Sequence, residues 1–133
     1  MLQKSRNSAL VLLVILLIFN QPAYAISELD SDGSPYPITV DGKVLFEIYS
    51  GVGSLSARER AALITSRIIQ TAKNPSIPHE SVRLKPVDNG IAIMAGKQIL
   101  ILITENEADE EKSLLSYLAI ERLRKIQKAI SAY

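Results

Sequence analysis

The apolar residues of this chain recur with a period that switches between two and 3.6, and the order of the switches leaves few folds open. Val44, Phe46 and Ile48 alternate with Leu45, Glu47 and Tyr49, the pattern of a half-buried strand. Before them stand Ile38-Thr39-Val40 and Asp41-Gly42, a pair whose tolerance of positive φ makes the stretch a β-hairpin. The period then becomes helical: Ala57, Ala61, Ile64, Ile68 and Ala72 form one stripe. Ser56 and Glu59 have capping-box spacing at its start, and Asn74-Pro75 ends it. Three short strands follow, Val82 to Val87, Ile91 to Ala95 and Gln98 to Ile103, divided by Asp88-Asn89-Gly90 and Gly96-Lys97. Pro86 lacks an N–H and puts the first of them near a sheet edge. A last helical stripe runs through Leu115, Ala119, Leu123, Ile126 and Ile130, with Ser113 as an internal cap and a break near Lys112. The order ββαβββα predicts a small single α+β domain with two helices on one face of an antiparallel or mixed sheet.

The first 25 residues read differently. Lys4 and Arg6 precede an apolar run from Ala9 to Phe19, then Asn20-Gln21-Pro22, then Ala23-Tyr24-Ala25. A basic start, a short apolar core and small residues at Ala23 and Ala25 describe a cleaved export signal, residues 1–25. The apolar run is shorter than the roughly 20 residues that span a bilayer. Export puts the product in the periplasm or on the extracytoplasmic face of the membrane. Residues 26–37 (ISELDSDGSPYP) are acidic, aperiodic and rich in Ser, Gly and Pro, a flexible linker ahead of a domain at 38–133.

Without the leader, 108 of the 133 residues remain, enough for one modest core. Lys4 and Arg6 leave with it, so the 15 basic residues become 13 against 14 acidic ones. A formal charge of −1 offers no nucleic-acid surface. With no cysteine, the exported chain has no disulfide scaffold, thiol nucleophile or lipoprotein anchor. Packing alone must hold it.

No motif names an activity. Gly51-Val52-Gly53-Ser54-Leu55-Ser56 follows a strand and opens a helix, as a phosphate loop does. Its third glycine is missing and its strand belongs to a hairpin, so a structural turn is the better reading. Asp30-Ser31-Asp32-Gly33-Ser34 imitates a calcium loop but carries its glycine at the fourth position rather than the sixth. The single histidine, His79, sits in a connector with neither a nucleophile nor a second metal ligand implied, and reads as a surface residue. The acids Glu105, Glu107, Asp109, Glu110 and Glu111 are sequence neighbours at a helix start, not two carboxylates facing across a cleft. They read as a solvated face that complements the helix dipole. Arg122, Arg124, Lys125 and Lys128 read as the wet side of the last helix, and as candidates for contact with anionic head groups at a membrane surface. No catalytic residue, cofactor or metal is expected.

Three stretches taken in order, ITVDGKVLFEI at 38–48, SARERAALITSRI at 56–68 and IMAGKQILILITE at 93–105, carry a resemblance. They resemble the exported N-terminal domain of bacterial mechanosensitive channel proteins of the small-conductance (MscS-like) family. Arg60, Ala61, Ile64 and Arg67 match the family's helix pattern, and Gly96, Leu100, Thr104 and Glu105 its strand pattern. Asn106-Glu107-Ala108-Asp109 departs from the family's junction after Thr-Glu. The resemblance implies a non-enzymatic extracytoplasmic domain, accessory to a pore, whose partners are the channel's membrane domain or further copies of itself. It carries over no gating or pore residue. The alternative is a free-standing periplasmic module that engages a peptide or lipid.

Overall fold

Strand β1 (Tyr36–Val40) turns into β2 (Lys43–Ile48) through two residues only, Asp41 at φ 52° and Gly42 at φ 73°. Two positive φ values in a two-residue loop match the right-handed twist of the flanking strands, as the Asp-Gly pair predicts. The computed structural model describes residues 34–133. The expected cleavage site at Ala23 and Ala25, and all of the calcium-like Asp30–Ser34 stretch except Ser34, lie outside the described residues. The sheet begins two residues before the expected boundary, because Tyr36 pairs with Ile48 and Pro37 with Glu47. Pro37 is tolerated there since β1 has a partner on one side only.

Helix α1 (Ala57–Ala72) starts at the expected capping box. Ser56 Oγ accepts the Glu59 N–H at 3.2 Å, and the Glu59 carboxylate accepts the Ser56 N–H at 3.0 Å. After it, a 3-10 turn (His79–Ser81) leads to β3 (Arg83–Val87), β4 (Gly90–Ala95) and β5 (Gln98–Thr104), an antiparallel sheet in the order β3-β4-β5. Pro86 is on an edge strand, as expected. Gly90 is required by space: a Cβ there would lie 2.0 Å from the Ile103 carbonyl oxygen.

The single sheet expected from the sequence is two sheets. The β1–β2 hairpin does not pair with β3–β5; α1 packs on both β1 and β5, and the final helix on strands of both sheets. A hairpin with one apolar face satisfies its own backbone on one edge, so burying that face against helices suffices to hold it. Ile38, Ile48, Ile68, Ile93, Ile103 and Ile126, all fully buried, belong to one core that runs between the two sheets and the helices.

The last helical stretch is broken, as the sequence suggests. A short helix α2 (Glu105–Glu110) ends at Lys112, φ 50°, and α3 (Leu115–Ser131) follows. Ser113 N–H bonds to the Ala108 carbonyl at 2.9 Å and Lys112 N–H to the Asp109 carbonyl at 3.1 Å. These two bonds make a Schellman motif with lysine where glycine is favoured. The cap of α3 is Leu114, with no side-chain bond, rather than Ser113, whose hydroxyl points to the Leu114 carbonyl. Ser113 is already committed to closing α2.

Candidate functional site

The final stripe of apolar residues is interrupted at one position. Leu118, Ala119, Ile126 and Ile130 are buried, and between them on the same face is Arg122, with 1% of its surface exposed. Helix α1 repeats the arrangement: Arg60, 4% exposed, adjoins the buried Ala61 and Ile64. Both guanidinium groups reach Glu107, 1% exposed, on the first turn of α2. Thr104 ends β5 and caps that turn, its Oγ1 accepting the Glu107 N–H at 3.3 Å.

Arg60 Nη2 lies 2.7 Å from Glu107 Oε2, and Arg122 Nη1 lies 2.5 Å from Glu107 Oε1. Each carboxylate oxygen therefore has its own cation. Arg122 Nη2 also pairs with Glu111, whose side chain is 26% exposed, so two arginines face two glutamates and the cluster is neutral. Arg60 further donates to the Ser50 carbonyl at 3.1 Å and the Leu102 carbonyl at 2.6 Å. The Arg122 guanidinium stands 4.8 Å from the Phe46 ring centroid, and among the described residues its Nε has no hydrogen-bond partner. The cation–π contact replaces some of the hydration that burial removes.

Burial by itself would raise the Glu107 pKa. The Arg60 hydrogen bond and the charges of Arg122 and Arg60 together outweigh it and hold the carboxyl below the ordinary glutamate range. Glu107 is thus an ion at neutral pH with both oxygens occupied. It cannot take a proton from a substrate without losing an arginine.

Two expectations need correction here. Glu107 is not on a solvated face: it reaches inward from α2, and Glu111 joins it. Arg122 is not on the wet side of α3 and cannot contact a membrane surface, because it stands inside the apolar stripe. Arg124, Lys125 and Lys128 are exposed on another side of that helix, and Lys125 pairs with Glu121 at 2.8 Å. Lys125 and Lys128 line, with Lys43, Val44 and Tyr133, a cleft of about 280 Å³ beside the β1–β2 turn. The signal for the missed residues was present: an arginine on each helix occupies a stripe position, where a solvated charge does not belong.

The remaining candidates stay apart from this cluster. The His79 side chain is 41% exposed and 3.5 Å from Glu80. The Gly51–Ser56 loop is a turn closed by paired bonds between Val52 and Leu55, both 3.1 Å, with Gly53 at φ 60°. Its following helix start is bonded to its own Ser56 and Glu59, which leaves less of it for a phosphate. Among the described residues no group of three or more His, Asp or Glu is placed to hold a metal ion. Among them also, no helix is long and apolar enough to cross a membrane.

These features define a small α+β domain locked by a buried, charge-balanced cluster between its helices. Residues 37–133 match the model of a family described as a domain of unknown function, DUF8459, and the chain belongs to that family. No curated protein and no solved structure matches it.

Proposed function

We propose that the domain is non-enzymatic and works by contact with other protein on the extracytoplasmic side of a membrane, as an accessory to the pore of a mechanosensitive channel family protein. One observation supports the contact role above others. Arg60, Glu107 and Arg122, the buried ionisable side chains among the described residues, are all spent on one another. Catalysis by acid or base needs such a group free to exchange a proton with a substrate. The channel context rests on the ordered sequence resemblance and on the export-type leader.

The test is fractionation and cross-linking of the native product. An accessory domain sediments with the membrane and cross-links to an integral membrane protein or within one. A wholly soluble product that cross-links to nothing in the membrane overturns the channel context.

A further inference from the structure

The solvent side of α3 carries an apolar ridge. Leu114, at its start, is 76% exposed and Tyr117 65%, the most exposed large apolar side chains among the described residues. Ile120, one turn further on, is 40% exposed. Their spacing of three makes them neighbours along the helix surface. Tyr117 and Arg124 are seven positions apart, about two turns, and share the face opposite the buried Leu118, Ala119, Arg122 and Ile126. The outer face of a surface helix is ordinarily polar, so a contiguous apolar ridge there marks a contact.

The charges around the ridge are separated by end. Asp109 and Glu110, exposed at the close of α2, adjoin its Leu114 end, and the exposed Arg124 and Lys128 continue it at the other. Among the described residues no ion pair joins these acids to these bases, or either base to another carboxylate. An anionic lipid surface would attract one end and repel the other. A second copy laid antiparallel sets each acidic end beside the other copy's basic end, whereas a parallel one sets like charge beside like.

We propose that this face of α3 is the interface of a symmetric dimer, in which two copies pack their α3 helices antiparallel about a two-fold axis beside Ile120 and Glu121. Tyr117 and Arg124 are equally far from such an axis, so each Tyr117 meets the second copy's Arg124, and the two Ile120 side chains meet at the centre. Ring and guanidinium form a cation–π pair on each side of the axis. Leu114 covers the aliphatic stem of the second copy's Lys128. One helix face against its copy buries less than the roughly 1,200 Å² of a standard interface, so the dimer is weak and relies on high local concentration. The proposal rests on the reading of the domain as a contact module and names its partner, a second copy of the chain.

The experiment uses the chain from residue 26 onward, so that the apolar run at 9–19 cannot itself drive association. Sedimentation equilibrium up to about 1 mM should show a reversible dimer with a Kd on the order of 100 µM, weaker at high salt. Tyr117→Ala and Arg124→Ala should each raise the Kd roughly tenfold, since each removes the same two symmetry-related contacts. The double variant should therefore add little to either. Ile120→Glu, at an exposed position and checked for fold by circular dichroism, should abolish the dimer by setting two like charges on the axis. The chain has no cysteine, so single introduced cysteines report orientation. On oxidation Ile120→Cys should give a disulfide-linked dimer, and Lys128→Cys, held far from its own copy, should not. A chain still monomeric at about 1 mM overturns the proposal, as does a dimer that Ile120→Glu leaves intact. So do equal disulfide formation at both positions and binding of a monomeric chain to anionic vesicles through Tyr117. A monomeric chain whose native product still cross-links to an integral membrane protein loses only this proposal, so the two readings fail separately.

Discussion

Replacing Glu107 by glutamine tests whether the buried cluster is balanced as its geometry implies. The substitution keeps the shape of the side chain and removes one charge between two guanidinium groups, at 2.7 and 2.5 Å, whose side chains are no more than 5% exposed. Removing one partner of a buried ion pair costs about 3–5 kcal/mol, because the other charge is left buried. The loss does not double for two arginines. Arg122 keeps Glu111, and Arg60 keeps the Ser50 and Leu102 carbonyls. For a domain of this size, a loss near the middle of that range lowers the melting temperature on the order of 20 °C. Glu111→Gln should cost less, about 1–2 kcal/mol, since that side chain is 26% exposed and Arg122 retains Glu107. Replacing the buried trio together, Arg60→Met, Glu107→Leu and Arg122→Met, should recover most of the loss, because no charge then needs compensation apart from the partly exposed Glu111. Urea and thermal unfolding of the three variants beside the parent give all these values. A Glu107→Gln variant within about 1 kcal/mol of the parent would refute the reasoning, since a buried charge imbalance cannot be that inexpensive.

Acid should act on the same carboxylate. Its folded pKa is below its unfolded one, so its contribution is fully present above the unfolded value of 4.5 and lost as pH falls through the folded value. Stability measured by urea unfolding should be level in this respect between about pH 5 and 7, then fall more steeply in the parent than in Glu107→Gln. Lys112→Gly should stabilise by about 0.5–1 kcal/mol, since glycine takes φ 50° in the Schellman motif without the cost of a Cβ; a loss on chemical denaturation contradicts this. Gly90→Ala should cost more than about 2 kcal/mol, because its Cβ would meet the Ile103 carbonyl at 2.0 Å and force β4 from β5. His79→Ala should change stability by less than about 0.5 kcal/mol, as expected for an exposed residue whose ionic contact among the described residues is with its neighbour Glu80.

What could be read from the sequence divides along the range of the interactions involved. The Asp41-Gly42 turn, the Ser56–Glu59 box, the edge position of Pro86 and the break at Lys112 depend on residues a few positions apart, and the first three have residue types that favour the backbone geometry found. The separation of β1–β2 from β3–β5 had no such local mark, because a hairpin's alternation is the same whether its second neighbour is a strand or a helix. The cluster is the instructive case. Arg60, Glu107 and Arg122 are up to 62 positions apart, and each has an innocent local explanation as a solvated or dipole-compensating charge. Only the phase of each helix says otherwise. With Ala61 and Ile64 fixing one face of α1, and Ala119 and Ile126 one face of α3, positions 60 and 122 fall inside the apolar stripes. A charge in that position must be buried, and a buried cation requires an anion. Two such arginines on the two long helices therefore demand a carboxylate reached from both. The acids near the α2 start supply it, and Glu107 is the one that its Thr104-capped turn directs inward. The sequence contained the requirement, and the fold determined which acid meets it.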